Sequence, residues 1–283
     1  MTMTRREFVK AAGIICAAAV AGDMDTLAMA AETAEKEEGS MVIDGHVHVW
    51  TAEGENERAK VENIVKAMDA NGIDKVVCFP FAAGLEKQRK MAELIKPYGD
   101  RFYPLAFINP NEKDAKEQLL YCLDELGFHG MKLHPWFGNF SLANIELLRP
   151  TMEVLNERGL YTVIHCTSDD ARMHPIMFEK LGLAFPNVAI QMAHMGEVMA
   201  GEYAIDVAKR VPNVYVDTSI TSYMAVIHAH EQIVDKTVMG CDFPFYRFEM
   251  EIQKQKLAAE ELHDVEGMRK IMGENLARVL HLK

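Results

Sequence analysis

From Met41 onward, short runs of β-branched and apolar residues alternate with longer amphipathic stretches. The strand-like runs begin near Met41 (MVIDGHVH), Lys75 (KVVCFPF), Phe102 (FYPLAFI), Gly130 (GMKLH), Tyr161 (YTVIHC), Asn187 (NVAIQMAH), Asn213 (NVYVDTS) and Thr237 (TVMGCD). Between them the apolar spacing changes to a helical period, as in Glu57 to Ala70, Lys113 to Leu126, Leu142 to Arg158 and Glu197 to Arg210. Strand–helix alternation with short breaks predicts parallel βαβ units. Eight such units over about 250 residues match a closed (β/α)8 barrel of the TIM type, in the α/β class. An open doubly wound sheet is the competing architecture. Its first turn carries a glycine-rich phosphate loop, whereas here that turn reads Asp44-Gly45-His46. No internal repeat, low-complexity tract or Pro/Gly-rich linker divides the stretch, so 41–283 reads as a single domain.

The first thirty residues depart from this pattern. Arg5, Arg6, Phe8 and Lys10 precede an apolar run from Ala11 to Gly22, and Ala28-Met29-Ala30 supplies a small-residue cleavage site. That is the anatomy of a secretory signal. The arginine pair makes it similar to a twin-arginine signal, which exports proteins already folded. The apolar run falls well short of the roughly 20 residues that span a bilayer, so stable membrane insertion is not expected. Ile15 stands before Cys16 where a lipoprotein signal needs a small residue. The alternative, an amphipathic first helix packed on the domain, suits poorly a run that is apolar nearly all round. The expectation is therefore a signal peptide over 1–30, a solvated leader over 31–40 and an exported, periplasmic or otherwise extracytoplasmic protein.

Composition narrows the partners. With 49% hydrophobic and 25% charged residues, the 283-residue chain is an ordinary folded protein. Thirty Lys and Arg against 42 Asp and Glu leave a formal charge of −12, which opposes nucleic acid as a partner. The expected signal holds Arg5, Arg6 and Lys10 against Glu7, Asp23 and Asp25, so the acidic balance belongs to the remainder. Five cysteines are too few for a disulfide framework. Cys78, Cys122, Cys166 and Cys241 are expected as buried thiols, and the 19 methionines as adaptable core filler.

In a barrel of this type, chemistry gathers at the C-terminal ends of the strands. His46 and His48 end the first predicted strand, and their i, i+2 spacing puts both on one side of it. His165 ends the fifth, His194 the sixth and Asp242 the eighth. Each alone is a weak signal, since an H-x-H pair is more often structural and a strand-end Asp is usually a cap. Their shared end of the barrel is what raises the reading to a divalent metal site, zinc or a similar ion, with room for a water. A water on such an ion ionises near neutral pH and becomes a nucleophile. His129, His174, His228, His230, His263 and His281 fall on helices or loops and are left without a chemical role.

The ordered set Asp44-Gly-His-Val-His48, Gly130-Met-Lys-Leu-His-Pro135, Val163-Ile-His165, Ala193-His194-Met-Gly196, Gly240-Cys-Asp-Phe-Pro244 and Ile271-Met-Gly-Glu-Asn-Leu-Ala-Arg-Val-Leu280 resembles the amidohydrolase superfamily. The similarity is greater to its amidohydrolase-related branch, which holds aminocarboxymuconate-semialdehyde and resorcylate-type decarboxylases beside hydrolases. The resemblance implies that His46, His48, His165 and Asp242 hold one divalent ion, zinc or alternatively manganese. It also implies that His194 polarises or deprotonates the water, or acts as general acid in a decarboxylation, and that Asp242 orients the water. Cys241 departs from the serine common before that aspartate. Lys132 stands where binuclear relatives carry a carboxylated lysine between two metals, the lesser reading here. Otherwise Lys132, with His134 and Trp136, lines the substrate pocket, and Arg247 is a carboxylate clamp or an exposed loop charge.

The leading expectation is thus a metal-dependent hydrolase of a small ester, lactone or amide. A non-oxidative decarboxylase on the same site is the alternative, and an exported metal- or solute-binding protein without turnover is the third. A nuclease of the same barrel class is opposed by the net charge and by Lys132-Leu-His134, where such enzymes carry a glutamate. The implied partners are a small molecule, carboxylate-bearing if Lys132 and Arg247 receive it, and the twin-arginine export machinery. A homo-oligomer is compatible with this fold.

Overall fold

The structure is a computed structural model and describes residues 41–51, 56–197 and 201–282. The signal and leader expected over 1–30 and 31–40 lie outside the described residues. All strand pairs are parallel and run in sequence order: β1 (Ile43–Val49), β2 (Lys75–Pro80) and β3 (Phe102–Pro104), then β4 (Ala106–Phe107), β5 (Gly130–Leu133), β6 (Tyr161–Ile164), β7 (Ala189–Met192), β8 (Val214–Asp217) and β9 (Thr237–Val238). Leu105, between β3 and β4, donates its N–H to Cys78 O at 2.8 Å, so these two short strands form one stave. The first stave meets the last through Gly45 N–H to Met239 O and His48 N–H to Phe243 O, both 2.8 Å. The result is an eight-staved (β/α)8 barrel, in which β5 to β9 are the fourth to eighth staves.

Alternation along each strand decides what enters the barrel. Val77, Phe79, Leu105, Tyr161, Val163 and Val238 fill its interior, joined by Leu276 and Leu280 from the C-terminal segment. Val76, Cys78, Met131, Leu133, Ile164, Ile190, Met192, Val214 and Val216 point the other way, into the layer beneath the helices. The positions between them, Lys132, Gln191 and Asp217, therefore turn inward, and all three are fully buried. In β1 the register slips between Asp44 and Val47, a bulge that lets Gly45 and His46 both face the interior. A Cβ on Gly45 would stand 3.0 Å from Gln191 Oε1 and 3.2 Å from Met239 O, which is why this position carries no side chain.

The surrounding helices include α1 (Val61–Ala70), α2 (Leu85–Ile95), α3 (Ala115–Asp124), α4 (Ile145–Arg158), α5 (Met177–Ala184), α6 (Gly201–Arg210), α7 (Tyr223–Ile233) and α8 (Phe248–Leu262). Each buries one stripe; α1, for example, buries Val61, Ile64 and Met68. The predicted helices are present but trimmed at their ends. Helix α4 begins at Ile145 rather than Leu142 because Asn144 accepts the N–H of Leu147 and caps it. No helix among the described residues is long and apolar enough to cross a membrane.

Candidate metal centre

His46 and His48 leave β1 on its inner side, and Asp242 follows β9, one stave away around the closed barrel. Asp242 Oδ1 lies 3.3 Å from His46 Nε2 and 3.1 Å from His48 Nε2. Neither approach has hydrogen-bond geometry, so Asp242 Oδ1 is buried without a hydrogen-bond partner among the described residues. The ligand atoms of these three residues all lie within 4.8 Å of one another, an arrangement that offers a metal ion three donors. His46, His194 and Asp217 form a second close group of potential ligands, but its members are tied by hydrogen bonds.

His165 and His194 extend the cluster. His194 Nε2 is 3.2 Å from His165 Nδ1, and the His46 and His194 rings stack with centroids 4.7 Å apart. The His165 ring lies on that of His134, centroids 3.9 Å apart and nearly parallel. His134 has a local task as well: its side chain accepts the N–H of Phe137 and caps the helical turn Pro135–Gly138. Lys132 projects from β5 into the barrel, with Nζ 3.4 Å from His46 Nε2 and 4.5 Å from the centre of the Phe79 ring.

Burial sets the charge states. It holds His46 well below the ordinary imidazole range, assisted by the Lys132 charge. Burial also depresses His48, His165 and His194, so the cluster presents neutral imidazoles near pH 7. Burial pushes Lys132 down from 10.5 to about 8, against the pull of Asp242 and Asp217. For Asp242, burial works upward, but His46, His48 and Lys132 outweigh it and keep the carboxyl below its usual range. The site therefore combines lone-pair donors, one carboxylate and one buried cation.

Two residues singled out from sequence stand apart. Trp136 is 57% exposed, and its ring contact is with Phe137 rather than with the cluster. Arg247 points to solvent and pairs with Glu249 in the first turn of α8, the helix it precedes. Phe137, one residue on from Trp136 and itself 51% exposed, is the one that reaches the cluster: its ring lies 4.1 Å from that of His134. Together with Phe81, Phe107 and Ile108 it lines a cavity of about 290 Å³ beside the cluster, and Phe81 also contacts the His48 ring.

Sequence reasoning missed Asp217, Ser219 and Gln191. Asp217 Oδ2 accepts from His46 Nδ1 at 2.9 Å and from Gln191 Nε2 at 2.7 Å. Signals existed: Asp217 ends a stave as His165 nearly does, and Gln191 is a polar residue at an inward position between two outward apolar ones. Backbone strain marks the same rim. His194, Met195, Glu197, Ile220 and Asp242 all have positive φ without being glycine, and a β-branched residue such as Ile220 is rarely found there.

Comparison with known proteins bears on the family and the fold. The family model described as Amidohydrolase matches residues 43–282. The chain belongs to the amidohydrolase family. No curated protein sequence matches it. Among solved structures, it is similar to 5-carboxyvanillate decarboxylase from Novosphingobium aromaticivorans, solved with manganese and 3-methoxy-4-hydroxy-5-nitrobenzoic acid. The two share 17% identity and a TM-score of 0.66, over 87% of this chain and 98% of that one. A probable 2-pyrone-4,6-dicarboxylic acid hydrolase from Acinetobacter baumannii, with citric acid bound, gives 14% and 0.64 over 85% and 99%. An amidohydrolase from Burkholderia multivorans with bound zinc gives 11% and 0.65 over 86% and 100%. At these identities the likeness establishes the barrel and leaves the reaction open.

Proposed function

We propose that this amidohydrolase is a metal-dependent hydrolase of a small ester, lactone or amide, with His46, His48, Asp242 and His165 holding one divalent ion. The observation that carries this is the buried Asp242 Oδ1, which takes no hydrogen bond among the described residues and faces two imidazole nitrogens. Lys132 has only donors, so the His46 Nε2 that faces its ammonium presents a lone pair. Two acceptors then stand 3.3 Å apart with no proton between them. That arrangement is costly when empty and fits donors at about 2.0–2.1 Å from a tetrahedral cation, which stand roughly 3.3 Å from one another. Imidazole and carboxylate together suit zinc, with manganese as the alternative.

An ion bound there supplies Lewis acidity and makes hydroxide accessible near neutral pH. The chain's own residues supply the rest. Asp242 orients the attacking water by accepting its hydrogen bond. His194, neutral and with its Nε2 lone pair turned into the pocket, takes the proton from that water and passes the same proton to the leaving group. Lys132 neutralises negative charge on the substrate or on the oxygen that develops it. Phe81, Phe107 and Phe137 exclude water on one side and receive the apolar part of the substrate.

A specific observation also favours a second reading, release of CO2 from a carboxylated ring. The cavity beside His134 is walled by three phenylalanines, and Lys132 is a buried cation within the same barrel. Metal analysis of protein purified without chelators, followed by assays for acid release from lactones and esters and CO2 release from aromatic carboxylates, separates the readings. The expected result is about one ion per chain and acid release, both lost in His48→Ala. CO2 without acid release would replace the hydrolase by a carboxy-lyase. Two ions per chain would point to a carboxylated Lys132, and a bound ion with no turnover to a binding protein. Export is proposed from the N-terminal residues alone: Arg5→Lys with Arg6→Lys is expected to retain the protein in the cytoplasm.

A further inference from the structure

Asp217 ends β8, a stave that carries none of the residues singled out from sequence. Its buried carboxylate takes five hydrogen bonds. Oδ2 accepts from His46 Nδ1 at 2.9 Å and Gln191 Nε2 at 2.7 Å. Oδ1 accepts from the N–H of His194 at 2.9 Å, the N–H of Ser219 at 3.1 Å and the Ser219 hydroxyl. A carboxylate only accepts, so the proton of His46 is on Nδ1 and its lone pair on Nε2. The Ser219 hydroxyl has one proton and gives it to Asp217. Its oxygen, 2.7 Å from His194 Nδ1, must therefore accept, which places the His194 proton on Nδ1 too.

We propose that Asp217, with Ser219 as its relay, is a positioning residue that sets the tautomers of His46 and His194 together. Both Nε2 lone pairs are thereby delivered into the pocket. That of His46 faces Lys132 and the His48–Asp242 pair, and that of His194 faces His165 Nδ1. Gln191 locks the carboxylate from behind. Its Nε2 also donates to Gly45 O at 3.0 Å, and its Oε1 accepts the Tyr161 hydroxyl, so the amide cannot turn over. One acceptor thus defines His46 as an electron-pair donor toward an ion and His194 as a proton acceptor, while Ser219 touches only the second. That asymmetry makes the idea testable.

Long-range 1H–15N correlation of the imidazoles in the metal-free full chain reads the tautomers directly, with His46 and His194 assigned from the signals missing in His46→Gln and His194→Gln. The wild type is expected to show Nδ1–H at both. Ser219→Ala should leave His46 and zinc affinity unchanged within about twofold while His194 becomes a tautomer mixture, and Ser219→Thr should restore it. Asp217→Asn presents an amide N–H to one of the two partners; His46 is expected to shift its proton to Nε2, and the zinc Kd to rise about 10–100-fold. Nε2–H at either histidine in the wild type, or an unchanged His194 in Ser219→Ala, overturns the proposal. Should Asp217→Asn not fold, the wild-type and Ser219 measurements still decide. The tautomer measurement stands whichever reaction the enzyme performs; only the affinity measurement rests on the metal reading above.

Discussion

Lys132 occupies a position where a full charge has lost its water. Its ammonium touches an imidazole and the face of Phe79, and no carboxylate among the described residues pairs with it directly. Such a charge is retained at a cost of several kcal/mol unless a ligand supplies its partner. Lys132→Met, close in volume, is expected to leave the melting temperature equal or higher while lowering turnover at least about 100-fold. Calorimetry beside a steady-state assay checks both halves, and a destabilised but active variant would show that Lys132 is structural. The cysteines give a second test at this scale. Cys78, Cys122, Cys166 and Cys241 are buried and free, and burial raises the Cys122 thiol to about 12 against the pull of the Arg89 charge. None of the four is expected to react with a thiol reagent in the native protein at mild alkaline pH, whereas all four react after unfolding. Mass spectrometry of the labelled peptides decides this.

At the scale of elements, the barrel depends on close approach between staves as much as on apolar surface. Gly130 opens β5 opposite Tyr161, and a Cβ there would fall 2.0 Å from Tyr161 O. Backbone cannot yield as a side chain can, so Gly130→Ala must part β5 from β6. A loss of about 2 kcal/mol or more in urea unfolding is expected, with weaker metal retention because Lys132 shares the strand. Helix α8 shows how an outer element governs the rim. Lys254 Nζ donates to Thr218 O at 2.6 Å, Gln255 Nε2 donates to Thr218 Oγ1 at 3.1 Å, and the Thr218 hydroxyl in turn donates to Glu251. Thr218 lies between Asp217 and Ser219, so the helix holds the very turn that orients His46 and His194. This support was not legible in sequence, because nothing in the spacing of Glu251, Lys254 and Gln255 says which strand they face.

Across the whole molecule, neutral buried histidines couple folding to pH. His230 on α7, away from the metal centre, illustrates the sign. Burial depresses its pKa despite the opposing pull of Gln255 and Asp264. The folded protein keeps it neutral where the unfolded chain takes up a proton, below roughly pH 6.5. Its stabilising contribution is present above that value and is lost as the pH falls. The urea midpoint is therefore expected to drop between about pH 7 and pH 5, and His230→Phe to flatten that drop while leaving the neutral-pH fold intact. An unchanged slope would mean that other groups set the acid limit.

The eight-stave pattern was legible because alternation and helical period are local properties of the chain, written in runs such as KVVCFPF and YTVIHC. The same alternation brought Lys132 inward, and the strand-end rule placed His46, His48, His165, His194 and Asp242 on one rim. Sequence could not separate residues that share a rim but differ in direction. Trp136 and Phe137 are exposed neighbours, yet a capped single turn lets only the second reach the His134 ring and the edge of the cavity. Arg247 had an acidic partner two residues away that only the helix geometry revealed. Asp217 and Ser219 escaped notice because their chemistry lies in whom they face, and closure of the barrel brings His46, 171 residues distant, to Asp217. Local periodicity determined the strands and the rim; tertiary closure decided which lone pairs meet, since hydrogen-bond direction across the barrel is not encoded in any single stretch of chain.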